Sequence, residues 1–183
     1  MLINMQLFIR PMCDEDIQQA AEIDKENFPT MQPPVNYKRE LANELSYYIV
    51  AYLVKTDSEE SRNIIIGFAG FWLMAGEAHI MNLAVRWAYQ HRGIGELLLV
   101  SLLDLALRKD AEIITLEVRL SNQAAQKLYE KCGFKKRGIR RGYYLDNNED
   151  AVIMTADDIR TKIFEGNVDM LRKKHQKKWK NMI

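Results

Sequence analysis

At Gly93 the hydrophobic period of the chain changes, and that change limits the possible folds more than any other feature of the sequence. Before it, Ile64 to Met74 and His79 to Val85 read as two antiparallel strands hinged near Ala75-Gly76. After it, Gly93 to Lys109 sets Ile94, Leu97, Leu98, Ser101, Leu102 and Leu105 on one helical face. Glu112 to Leu120 then returns to a strand. Strands interleaved with an amphipathic helix predict a mixed α/β domain.

The flanking segments extend the pattern. Leu7 to Pro11 is a short apolar start, and the carboxylates of Asp14-Glu15-Asp16 suit the free N–H groups at a helix start. The helix runs to about Asn27, with Ile17, Ala20, Ala21, Ile23 and Asp24 as its stripe. Phe28-Pro29 ends it and Pro33-Pro34 keep the loop over 28–36 extended, before a short helix from Tyr37 to Leu45 and a strand from Tyr47 to Val54. Lys55 to Asn63 is polar. Later, Asn122 opens a helix that closes at Cys132-Gly133, and strands Phe134 to Tyr144 and Ala151 to Thr155 flank the turn Asp146 to Asp150. Asp157-Asp158 are expected to cap a last helix that becomes basic. The expectation is one domain over 1–156 and a basic helical extension over 157–183.

With 48% hydrophobic and 28% charged residues in 183, the chain has the composition of an ordinary globular domain. A net charge of +1 excludes a uniformly basic nucleic-acid binder. It also hides an alternation, since the blocks 1–85, 86–141, 142–171 and 172–183 carry −6, +6, −5 and +6. Two cysteines make no disulfide framework and three scattered histidines no zinc spacing, so no metal and a reducing cytoplasm are expected. No run of about 18 apolar residues is present, and the start lacks the pattern of a signal peptide, so no membrane association is expected.

Gln90-His91-Arg92-Gly93-Ile94-Gly95 sits between a strand and the N-terminus of the long helix. Converging backbone N–H groups and the positive end of the helix dipole suit a pyrophosphate, although a two-glycine turn before a helix is common without any ligand. On the strand Glu112 to Leu120, the residues Ile113, Thr115, Glu117 and Arg119 share one face and Ile114, Leu116, Val118 and Leu120 the other. The pattern alone leaves Glu117 either a solvated carboxylate or a group in a cleft, and Tyr129 either a half-buried aromatic or a functional phenol.

From this loop onward the order of features resembles the Gcn5-related N-acetyltransferase superfamily, and within it the RimI-like N-terminal acetyltransferases. The residues that carry it are Asn82-Leu83-Ala84-Val85, Gln90-x-x-Gly93-x-Gly95, Leu116-Glu117-Val118-Arg119, Ser121-Asn122-x-Ala124-Ala125 and Leu128-Tyr129-Glu130. It continues through Gly133-Phe134, Ile139-Arg140-Arg141, Tyr143-Tyr144, Glu149-Asp150-Ala151 and Met154, roughly residues 80 to 155, about two fifths of the chain. The resemblance implies a sheet of about seven strands, acetyl-CoA as cosubstrate, and acetylation of a protein's N-terminal α-amino group. The implied substrate is a small-subunit ribosomal protein that starts with alanine.

Carried over, Leu83, Ala84 and Val85 would run beside the pantetheine, the turn His91, Arg92, Gly93, Ile94, Gly95 and Glu96 would hold the pyrophosphate, and Asn122 would also bind the cosubstrate. Glu117 matches the family's proton acceptor and Tyr129 its proton donor. Phe28, Tyr143 and Tyr144 fall at the peptide site. Thr30-Met31-Gln32-Pro33-Pro34 departs from the family's usual proline and tryptophan at one wall of that site.

The chemistry is consistent with such a set. A peptide α-amine has a pKa near 7.7 to 8.0 and must lose a proton to attack a thioester. A carboxylate can take that proton, and a phenol can return one to the departing thiolate. Adjacent strand tyrosines point to opposite faces, so only one of Tyr143 and Tyr144 is expected to face the peptide. Arg140 and Arg141 could serve the substrate, stay solvated or contact the acidic turn. Cys132, at a helix C-terminus, is expected to be structural, not an acyl carrier. The rival readings are acetylation of a lysine or small amine, and a non-catalytic acetyl-CoA-binding or ribosome-associated module. The tail from Arg172 is either a solvated helical end or a contact to ribosomal RNA.

Overall fold

The computed structural model describes residues 5–30, 33–55, 63–157 and 159–180. Met1, Met31, Gln32 and Asp158, and most of the polar stretch before Asn63, lie outside the described residues.

Seven strands form one sheet: β1 (Met5–Pro11), β2 (Ser46–Lys55), β3 (Ile64–Met74), β4 (Glu77–Val85), β5 (Ile113–Arg119), β6 (Lys135–Tyr144) and β7 (Glu149–Ala156). The order across the sheet is β1-β2-β3-β4-β5-β7-β6. Every pair is antiparallel except β4 with β5. That parallel pair is joined through α3 (Ile94–Arg108), the crossover that a parallel connection requires.

The two sheet faces carry separate cores. On one face α1 (Ile17–Asn27) and the short α2 (Tyr37–Leu41) cover Tyr48, Val50, Ile65, Phe68 and Ala84. On the other, α3 packs on Ile49, Ile66, Ile80, Ile114, Leu116 and Met154. α4 (Gln123–Lys131) follows β5, and α5 (Lys162–Lys180) lies against the outside of α3 through Phe164, Val168 and Leu171. Because α3 is covered twice, Leu99, Val100, Leu103 and Ala106 are buried along with Ile94, Leu98 and Leu102 of the predicted stripe, whose Leu97, Ser101 and Leu105 are half-buried.

Several expectations are corrected. Ala21 is exposed, so the buried stripe of α1 is Ala20, Ile23 and Asp24. The second helix stops at Leu41, and residues 42–45 form a turn held by Ala42 N–H to Lys38 O and Ser46 N–H to Asn43 O. The last helix does not start at Asp157. That carboxylate pairs with Arg137 and Lys135, and Thr161 caps α5 by accepting the Phe164 N–H at 3.2 Å.

One irregularity in β4 reorders its side chains. Gly70 pairs with Asn82 but Phe71 pairs with Ile80, so Met81 is an extra residue. Such a bulge reverses the alternation. Ala78 and Ile80 face α3 before it, whereas Asn82 and Ala84 face α1 and α2 after it. His79, next to Ile80, is therefore on the α1/α2 face.

Candidate active site

β4 and β5 pair only over Glu77–His79 with Ile113–Thr115. Past that point β4 stays on β3 and β5 stays on β7, and the two edges part. Ile80 to Val85 thus face Leu116 to Arg119 across a wedge, with backbone groups that make no ladder between these strands. Unpaired backbone donors and acceptors at this depth suit a ligand that carries amides.

At the wide end of the wedge lies the glycine loop. Gly93 has φ 87 and His91 φ 58, both left-handed, so the chain folds back tightly before entering α3. A Cβ on Gly95 would stand 3.7 Å from Leu83 Cδ2 and 3.9 Å from both Leu128 Cδ2 and Val85 Cγ2, so its absence leaves a cradle between β4 and α4. Gln90 holds this loop in place, its Nε2 donating to Val85 O and to Asn27 Oδ1, each at 3.1 Å. Asn27 Nδ2 donates to the same carbonyl at 3.2 Å. The carbonyl of Val85 therefore belongs to the loop's own framework. Asn27 is a part of the site that its position at a helix end concealed.

The other loop residues divide by atom. Arg92 lies over the Tyr89 ring at 5.4 Å and His91 is exposed. Ile94 is buried in the core. The Glu96 carboxylate faces away, toward Lys131 on α4 and His175 on α5 at 2.9 Å, and although burial opposes it these partners hold its pKa below the usual carboxylate range. What Glu96 offers the wedge is its backbone in the first turn of α3. The Asn122 side chain accepts the Ala125 N–H at 3.1 Å as the cap of α4.

Glu117 lies on the α1/α2 face where the strands begin to part. Its side chain is 7% exposed, with Oε2 2.8 Å from His79 Nε2 and Oε1 3.0 Å from the Arg140 guanidinium. This is no solvated strand carboxylate. Arg140 is thus the partner of Glu117, and the acidic turn is held instead by Arg119, whose guanidinium reaches Asp146 at 2.9 Å and Glu149 at 3.0 Å.

Tyr129 stands on the α3/α4 side, its ring 5.7 Å from Phe134. Burial, with Tyr144 and Cys132 nearby, pushes its hydroxyl pKa up, so the phenol keeps its proton. A wedge open between two sheet faces lets a group from each face approach the same point. Cys132 is buried in the core and its thiol is pushed up to about 12 by burial, which disfavours the thiolate.

The expectation for the paired tyrosines fails. Tyr143 and Tyr144 meet edge to face at 5.1 Å, Tyr143 under Arg140 and Tyr144 under Arg119. Arg119 and Arg140 both pair with Ala151 and so share a face with each other, and both tyrosines join them there. The strand breaks register between Arg140 and Tyr144, and Gly142 takes φ 56, which removes the simple alternation. Opposite this wall, half-buried Phe28 packs on the α1/α2 core. Thr30 Oγ1 donates to Asp146 Oδ2 at 2.7 Å, which joins the loop after α1 to the β6–β7 turn.

Among the described residues, no group of histidines, cysteines or carboxylates is arranged to hold a metal ion, and no helix is long and apolar enough to cross a membrane.

Comparison with known proteins converges on one family. The model of the acetyltransferase (GNAT) family matches residues 15–134. A Bacillus subtilis protein provisionally named as a ribosomal protein bS18-alanine N-acetyltransferase is 37% identical over 147 residues, covering 80% of this chain and 92% of that one. The N-alpha-acetyltransferase RimI of Mycobacterium tuberculosis is 35% identical over 148 residues, covering 78% and 87%. The crystal structure of the ribosomal-protein-S18-alanine N-acetyltransferase from Escherichia coli superimposes with a TM-score of 0.68 at 29% identity, covering 86% of this chain and 97% of that one.

Proposed function

The chain belongs to the acetyltransferase (GNAT) family, and on that premise we propose that it acetylates the α-amino group of a protein N-terminus, an N-terminal alanine of a small-subunit ribosomal protein. The observation that carries the reading is the shielded Glu117 carboxylate at the point where β4 and β5 part. Such a substrate places the reaction in the cytoplasm.

Acetyl-CoA, when bound, supplies the thioester. The edges of Leu83, Ala84 and Val85, beside the apolar space at Gly95, fit its pantetheine arm, and the turn from His91 to Glu96, with the left-handed Gly93 and the N–H groups that open α3, fits its pyrophosphate. Asn122, already the cap of α4, adds a backbone position at the rim. Phe28, Tyr143 and Tyr144 wall the peptide's path. Glu117 takes the proton that the α-ammonium must lose, directly or through water, and positioned proton transfer of this kind contributes about 10²- to 10⁴-fold. Tyr129 keeps its proton at neutral pH and holds it for the departing thiolate. No covalent enzyme intermediate is needed, in keeping with the protonated, buried Cys132.

The test offers acetyl-CoA with peptides that begin with alanine, serine or methionine, with free or blocked α-amines and an internal lysine, and reads the gain of one acetyl group by mass. The expected product is acetylated at the terminus, fastest for alanine. Acetylation confined to the lysine overturns the proposal.

A further inference from the structure

His79 lies outside every motif singled out in the sequence, yet it touches the proposed base. His79 Nε2 stands 2.8 Å from Glu117 Oε2, an ion-pair distance at which the charge on the ring acts directly on the carboxylate. The side chain is 35% exposed, which keeps the ring open to solvent exchange while Glu117 beside it is shielded.

We propose that His79 is a positioning residue that determines when Glu117 can act as a base. This rests on the reading of Glu117 as the proton acceptor. With a neutral ring, the carboxylate has one cationic neighbour, Arg140 on Oε1. With a protonated ring, the carboxylate is held between two cations. Opposite charge within about 4–6 Å favours the ionised form, and so weakens its pull on a proton. The same contact therefore leaves the base at full strength in one charge state and weakens it in the other.

The groups facing this pair leave the imidazole as the one that switches. Glu117 is faced by His79 from β4 and by Arg140 from β6, with Tyr144 of β6 near it. Arg140 stays cationic, and the Tyr144 hydroxyl, pushed up to about 12 by burial, stays neutral. Arg119, on β5, is taken by Asp146 and Glu149. On β3 the residue in register with His79 is Trp72, which does not titrate and donates its Nε1–H to Glu40. Imidazole is the side chain that changes charge closest to neutrality.

The experiment measures kcat against pH at saturating alanine-first peptide for the wild type, H79Q, H79R and E117Q. Melting temperature and the KM for acetyl-CoA are followed as controls for folding. Glutamine is uncharged at every pH. It is expected to lower the alkaline plateau about three- to tenfold and to remove one ionisation from the acid limb, so that the ratio of H79Q to wild-type kcat rises by about tenfold per pH unit below the limb. Arginine imitates the protonated ring, and kcat should fall about 10- to 100-fold at every pH. An H79Q profile with the wild-type acid limb, or H79R with wild-type kcat at alkaline pH, overturns the proposal. If H79R does not fold, the shape of the H79Q limb decides alone. E117Q separates the two levels: wild-type kcat in E117Q overturns the base assignment itself, whereas an impaired E117Q with an unchanged H79Q limb overturns only the role of His79.

Discussion

Replacing Tyr129 with Phe removes a single oxygen from a ring that stays packed against Phe134. If that oxygen delivers the proton to the leaving thiolate, kcat should fall about 10²- to 10⁴-fold with the acetyl-CoA KM unchanged, which steady-state kinetics will read. A second residue tests the framework. At Gly70 an added Cβ would lie 2.3 Å from Cε1 of the buried Tyr48 ring, so Gly70→Ala should destabilise the fold by about 1–3 kcal/mol in denaturant melts. Of the proposed catalytic pair, alternation on β5 correctly sets Glu117 apart from Leu116 and Val118. Its partners could not be read from alternation. His79 would share a face with Leu83 and Val85 in an unbroken strand, and only the extra residue at Met81 turns it to Glu117. Two-residue periodicity does not reveal bulges, so it missed both His79 and the shared face of Tyr143 and Tyr144.

Helix α3 shows how far periodicity extends at the level of elements. Its ends were legible within a residue, because glycine in the loop and lysine past the last turn mark them. Its burial was not, because a stripe on one face says nothing about a helix that later packs on the other. α5 does so through Phe164, Val168, Leu171 and His175, which is 3% exposed. Of the six cations from Arg172, two are engaged among the described residues: Arg172 reaches Asp104 of α3 and Asp169 of its own helix, and Lys173 pairs with Asp169, while the neighbouring His175 meets Glu96 of α3. Leu171→Ala should cost about 2–5 kcal/mol of unfolding free energy, measured by urea titration. Loss of that size would mean that α5 is part of the fold's core; a value near zero would mean that the helix is peripheral to the domain's stability.

For the whole molecule, near-neutral net charge conceals a set of carboxylates with depressed pKa values. Glu149 is held at about 2 by Ser121 and then Arg119, Asp146 is lowered by Thr30 and Arg119, and Asp16 and Glu96 are lowered by Arg10 and by Lys131 with His175, against the effect of burial. A depressed carboxylate adds stability above its unfolded pKa and loses it as pH falls through the folded value. The melting temperature should therefore hold from neutrality to about pH 4.5 and fall toward pH 2. Asp24 acts with the opposite sign, because burial raises it despite the hydrogen bond from Tyr37, so its protonation offsets part of the loss. Differential scanning calorimetry across that range reads the net slope.

In the proposed reaction the hydrogen bond from Thr30 to Asp146 spans the substrate path, with the sheet as its floor and Thr30 and the β6–β7 turn as its sides. A free chain end can be threaded beneath such a clasp as through the eye of a needle. A segment with chain continuing in both directions can pass only when the clasp opens. One exposed hydrogen bond is worth about 0.5–1.5 kcal/mol, so opening is easy, but each opening needs a chance encounter that a terminus does not. Preference for protein ends over internal amines can thus arise from connectivity, before any side chain in the path has been recognised.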